Sequence, residues 1–236
     1  MTLARAVLAE WTKMRTLPSN VAAMAALTVL MTATAAVVTA VTDSPSRDIT
    51  VLLRTGVHAT QIAAVALAAA MLGAEFHPRL IRVTLAMQPR RRVVLAAKTL
   101  VLSATVLVTT LAGTVVTVLV APALLGAETL GDPAVVETAL YLALVALLTA
   151  GVTAAVRHAG TAIGLAVTAL YGPYMIIVLV PMSPSLSDHI QDTAPMTAGL
   201  SALGTAPGGW SGLAVLAAYA VAALIAGAAV FKARDA

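Results

Sequence analysis

Residues 95–120 read LAAKTLVLSATVLVTTLAGTVVTVLV, with Lys98 as the only charged residue. A helix needs about 20 predominantly apolar residues to cross a bilayer, and this run exceeds that. Its Leu, Val and Ala residues come in continuous blocks. A barrel strand would alternate polar and apolar positions. A helix is the other structure that satisfies its own backbone polar groups in hydrocarbon, so the run is read as a membrane-spanning helix.

Five further runs of the same kind lie on either side, at about 20–41, 56–74, 135–156, 160–180 and 211–231. The one at 56–74 is the least apolar, because it opens with Thr55, Gly56, Val57, His58, Ala59, Thr60 and Gln61. Composition supports the count. Of 236 residues, 60% are hydrophobic and 10% charged, with a mean hydropathy of +0.97. A soluble domain carries about 25% charged residues, so a soluble protein is excluded. Six spans leave no room for a large extramembrane domain, and with no long hydrophilic linker the chain reads as one membrane-spanning domain over 1–236. The apolar run from Val21 to Val41 exceeds the roughly 7–15 residues of a signal-peptide core, so it is expected to be retained as the first span. The net charge of +4 and pI near 9.9 do not indicate a nucleic-acid partner, since aromatic residues are only 3%. With no cysteine, a disulfide, a Cys-based zinc site and a thiol nucleophile are all excluded.

Basic residues set the orientation of such a chain. Twelve of the fourteen Lys and Arg residues fall on one side: Arg5, Lys13 and Arg15; Arg79, Arg82, Arg90, Arg91, Arg92 and Lys98; Arg157; Lys232 and Arg234. The other side has Arg47 and Arg54, with Asp43, Asp48, Glu128, Asp132, Glu137, Asp188 and Asp192. Both termini are therefore expected in the cytoplasm, with the chain multi-pass in the plasma membrane.

Ahead of the first span, Leu3, Val7, Trp11 and Met14 recur at helical spacing over residues 1–18, with Arg5, Thr12, Lys13 and Arg15 on other faces. This predicts an amphipathic helix in the membrane interface, anchored by Trp11 at headgroup depth and broken at Pro18. The alternative is that its charges only set orientation.

The most informative connection is 75–92, between spans two and three. It holds five arginines, and between Pro78 and Pro89 it places Leu80, Ile81 and Leu85 on one helical stripe. Topology alone explains the charges. An apolar stripe between two prolines instead suggests a short amphipathic helix for docking a soluble partner.

The run from Ala74-Glu75-Phe76 through Leu80-Ile81-Arg82-Val83-Thr84-Leu85, then Pro89-Arg90-Arg91-Arg92 and Leu95-Ala96-Ala97-Lys98, resembles the loop between spans two and three of actinobacterial ABC-2 type transporter permeases. Glu10-Trp11-Thr12-Lys13-Met14-Arg15-Thr16-Leu17 is similar to that family's interfacial helix, and the last span with the tail to Ala236 resembles its C-terminal part. His77-Pro78-Arg79 departs from the small polar turn the family favours. The resemblance implies a permease of an ATP-driven exporter, an all-α protein of six spans that is not itself an enzyme. It pairs with a second permease copy, identical or different, and with two copies of a cytoplasmic ABC ATPase that bind ATP and magnesium. Residues 75–92 would be the coupling helix. Glu75 would match its acidic start, Arg79 and Arg82 would form ion pairs, and Leu80, Ile81 and Leu85 would form its apolar face.

The residues themselves also place the motor elsewhere, because no G-x-x-x-x-G-K-[ST] phosphate loop occurs. The four histidines His58, His77, His158 and His189 form no close ligand pair, so no metal site is expected. Within the spans, Thr109 and the pair Tyr171 and Tyr174 around Pro173 are the candidates to line a substrate path, with packing roles as the alternative. Gly160 and Gly164 open span five as a possible close helix contact. The connection 181–208 is expected on the outer side, as a plain loop or with Met196–Leu203 as a short helix dipping back. A drug, a peptide or a lipid would suit the apolar path. A membrane scaffold that binds a cytoplasmic partner without transport is the competing function, and an ion-driven carrier is a third.

Overall fold

A computed structural model describes residues 2–41, 49–74, 91–125, 134–204 and 210–233. Among these, every regular element is helical: α1 Leu3–Thr16, α2 Pro18–Val41, α3 Ile49–Gly73, α4 Arg91–Leu125, α5 Val135–Val156, α6 Ala159–Leu179, α7 Pro184–Thr193, α8 Pro195–Ser201 and α9 Trp210–Ala233. Five helices (α3, α4, α5, α6 and α9) are long and apolar enough to cross a membrane, or six when the bent pair α1–α2 counts as one span. The chain is a multi-pass membrane protein.

The α1–α2 elbow follows from Pro18. A residue before proline is pushed out of the helical region, and Leu17 is extended at φ −77° and ψ 123°. The chain turns by 76° there, and α2 restarts with proline at its first position, where the missing N–H costs nothing.

The middle of the bundle is α5, which packs against α3, α4, α6 and α9. Burial separates inner from outer spans. In α3 and α5, 61% and 67% of the span is buried, against 17% in α6 and 22% in α9. Helices α5 and α9 cross backbone to backbone. A Cβ on Gly151 would run into the Ala223 carbonyl carbon, and one on Gly227 would stand 2.5 Å from the Gly151 oxygen. Gly160 and Gly164 serve no such contact within the chain: a Cβ on Gly164 would meet nothing within 4 Å, and one on Gly160 only His158.

The segment after α6 is not a plain loop. It forms the helical hairpin α7–α8, pinned where the Thr197 hydroxyl donates to the Gln191 carbonyl at 2.8 Å. No residue of α7 is buried, whereas α8 tucks Met196, Ala198, Gly199 and Leu200 back into the bundle.

Candidate functional site

The two ends of the bundle differ in charge. One end carries the roots of the segment 75–90. Its amphipathic helix α1 presents Ala6, Glu10 and Met14 to the bundle, with Val7 packed beside them. Leu3 and Trp11, expected on the same stripe, stay 44% and 42% exposed. Glu10 is buried because its carboxylate accepts from Lys98 Nζ at 2.7 Å and from Lys13 Nζ at 2.8 Å. Lys98 lies about two turns past the start of α4, or roughly 10 Å at 1.5 Å per residue, and is itself buried.

The other root of the segment is equally tight. A Cβ on Gly73, at the end of α3, would come within 2.7 Å of Ala159 Cβ at the start of α6. Next to it, Arg157 closes α5 in the left-handed region at φ 62°. Its guanidinium reaches the Val230 carbonyl of α9 at 3.5 Å, and His158 caps α6 by accepting from the Thr161 N–H at 3.2 Å. Arg5, Lys13, Arg15, Lys98 and Arg157 therefore share this end. Glu75, Arg79, Leu80, Ile81, Arg82 and Leu85 all lie outside the described residues.

The far end holds a polar column. Arg54, His58 and Gln61 follow one another along one face of α3, four and three residues apart as a helical stripe requires. Gln61 is fully buried. Its amide oxygen accepts from the Tyr141 hydroxyl of α5 at 2.6 Å, and its amide nitrogen contacts Met196 Sδ of α8 at 3.4 Å. One turn higher, the Tyr171 hydroxyl of α6 donates to the His58 carbonyl at 2.8 Å. Four helices thus converge on a few hydrogen bonds. Above them opens a cavity of about 350 Å³, lined by Arg54, His58, Tyr174 and Gln191 together with apolar side chains of α6 and α8.

Of the path residues expected from sequence, Tyr171 and Tyr174 both belong to this region. Thr109 does not. It lies on α4 at the contact with α2, where its carbonyl accepts from Thr28 at 3.4 Å and its own hydroxyl bonds back to the Thr105 carbonyl at 2.7 Å. The sequence reading did not single out Glu10 with Lys98, Gln61, Tyr141 or Arg54. The available signal was their polarity inside otherwise apolar or interfacial helices. Among the described residues no group of three His, Asp or Glu side chains is placed to hold a metal ion. No family model matches the chain, and no curated protein matches it.

Proposed function

We propose that this chain is the permease subunit of an ATP-driven exporter of the ABC-2 type, moving a hydrophobic or amphipathic substrate out of the cell. In this reading it crosses the plasma membrane six times with both termini in the cytoplasm, and α1 lies in the inner interface with Trp11 at headgroup depth. The chain does not hydrolyse ATP. Two copies of a separate ATPase subunit bind ATP and magnesium, and a second permease copy completes the pathway. Residues 75–92 are the handle: Leu80, Ile81 and Leu85 dock, while Glu75, Arg79 and Arg82 pair with charges on the motor.

The observation that supports this most is that both roots of the segment 75–90 are locked to other helices. Gly73 abuts Ala159 of α6, and Lys98 is ion-paired to Glu10 of α1. A docking loop on a floating tether would dissipate a push. With these roots, displacement of the segment passes to α6 on one side and to α1, hence α2, on the other. Because α6 carries Tyr171, that motion reaches the polar column at the far end.

The test is ATP hydrolysis by the permease purified with its ATPase and reconstituted in lipid discs. Glu75→Ala and Arg82→Glu are expected to reach the membrane in normal amount, with hydrolysis no longer linked to transport. Full transport by both variants removes the coupling-helix assignment. A stable complex whose hydrolysis responds to no substrate would favour a scaffold.

A further inference from the structure

The far-end cavity presents a cation that no described acidic residue pairs with. Its lining includes the Arg54 guanidinium and the Tyr174 phenol. Among the described residues neither side chain has a hydrogen-bond or ion-pair partner. His58 adds a second nitrogen base to the same wall, and Gln191 an amide. Among the described residues no carboxylate lines the cavity: the acidic residues of α7, Asp188 and Asp192, are exposed and stand outside its wall. The remaining wall is Thr197, whose hydroxyl is already bonded to the Gln191 carbonyl, and the apolar Ile177, Met196 and Leu200. The floor is closed by the Tyr171–His58 and Gln61–Tyr141 hydrogen bonds and by Met196. The cavity is therefore cationic on one side and mostly oily on the other, and its volume of about 350 Å³ is within the usual range for small-molecule sites.

We propose that this cavity binds an acidic-headed amphipath, with the anionic head on Arg54 and Tyr174 and the hydrocarbon tail along Met196, Leu200 and Ile177. Arginine presents paired donors that match the oxygens of a phosphate or carboxylate. A partly enclosed site beside hydrocarbon strengthens that attraction relative to water. A neutral ligand would leave the guanidinium unused, and a cationic one would be repelled by it. As a cargo site the cavity rests on the export reading; as a binding site it stands on the chain alone, so the two fail separately.

The probe is dodecyl phosphate, titrated calorimetrically into the full chain in phosphatidylcholine discs, with empty discs subtracted. Saturable binding is expected, while inorganic phosphate and dodecyltrimethylammonium give none at the same concentrations. Arg54→Gln should weaken binding about tenfold, the size of one lost charge-assisted hydrogen bond, and Arg54→Lys should restore part of it. Arg54 is exposed, so neither variant threatens the fold, and unchanged melting confirms that. Repeating the titration in discs containing phosphatidylglycerol separates two sources of the same chemistry. Competition identifies a membrane lipid headgroup as the occupant, and its absence identifies a free amphipath. Undiminished binding by Arg54→Gln, or equal binding of the cationic detergent, overturns the proposal.

Discussion

Replacing Lys98 with methionine removes one of the two described cations that hold a buried carboxylate. Glu10 is 6% exposed and Lys98 4%, at 2.7 Å. Breaking such a pair from one side costs about 3–5 kcal/mol, because the surviving charge stays buried without its compensation. Here Glu10 retains Lys13 at 2.8 Å, but the Lys13 side chain is 48% exposed, and exposed pairs contribute only about 0–1 kcal/mol. The expected loss for Lys98→Met is therefore about 3 kcal/mol, on the order of a hundredfold in the unfolding equilibrium. Methionine keeps most of the side-chain volume, so little of this is a cavity term. The double variant Glu10→Leu with Lys98→Met removes both charges and should return to within about 1 kcal/mol of the parent. The assay is helix loss in mixed micelles during an SDS titration, read as a double-mutant cycle. The reasoning is refuted if Lys98→Met shifts stability by less than about 0.5 kcal/mol, since surface substitutions do no more, or if the double variant loses as much as the two single ones summed.

Gly151→Ala should destabilise by about 3 kcal/mol, the upper part of the overpacking range, because the atoms its Cβ meets are the backbone of Ala223 and Leu224. Gly164→Ala should instead be neutral or gain up to about 1 kcal/mol from helix propensity, and melting of the two purified variants compares them directly. Tyr141→Phe leaves the Gln61 amide oxygen without its donor, and the same SDS titration should register about 1 kcal/mol, in the range found for hydrogen bonds between membrane helices. The chain has no cysteine, so single-cysteine variants report cleanly. If the second permease copy proposed above packs on the open face of α6, Gly164→Cys there crosslinks two copies in membranes, whereas Leu148→Cys, buried in α5, does not; equal crosslinking at both positions would argue against that packing.

Much of the span pattern was legible because a continuous run of about 20 apolar residues marks a helix that can sit in hydrocarbon, whichever neighbour it faces. The expected 135–156 coincides with α5, and 160–180 with α6 to within a residue. The weak span shows where that measure fails. Helix α3 begins at Ile49, well before the expected 56, and its polar residues Thr60 and Gln61 are fully buried. They face protein rather than lipid, so they lower the apolar signal without weakening the span. Helix α1 shows the same effect for charge. Glu10 reads as a solvated residue until its partner Lys98, 88 positions away, is in place, and no local pattern encodes that distance. Glycine spacing says equally little about packing within the chain. The Gly160 and Gly164 pair has the familiar four-residue interval, while the real close approach joins Gly151 and Gly227 from two different helices.

The distribution of these contacts gives the bundle one stiff end; at the other, α8 and α9 also meet backbone to backbone at Ala198 and Gly212, but α6 is held more lightly. At the stiff end, α5 and α9 meet backbone to backbone, α3 abuts α6, and a buried ion pair ties α1 to α4. None of these can slide without a clash or an exposed charge. At the far end, α3, α5, α6 and α8 are joined through Tyr171, Tyr141, Gln61 and Met196, and hydrogen bonds of this kind average about 0.6 kcal/mol in membrane helices. Helix α6 is also the least buried span, so moving it displaces lipid more than protein. A load applied through residues 75–90 would therefore pivot α6 near Gly73 and Ala159 and separate the column at Tyr171, before the α5–α9 crossing gave way. The same mechanics explains why an acidic amphipath seated by Arg54 and Tyr174 would bear on transport: it bridges α3 and α6 across the joint where the least work opens the bundle.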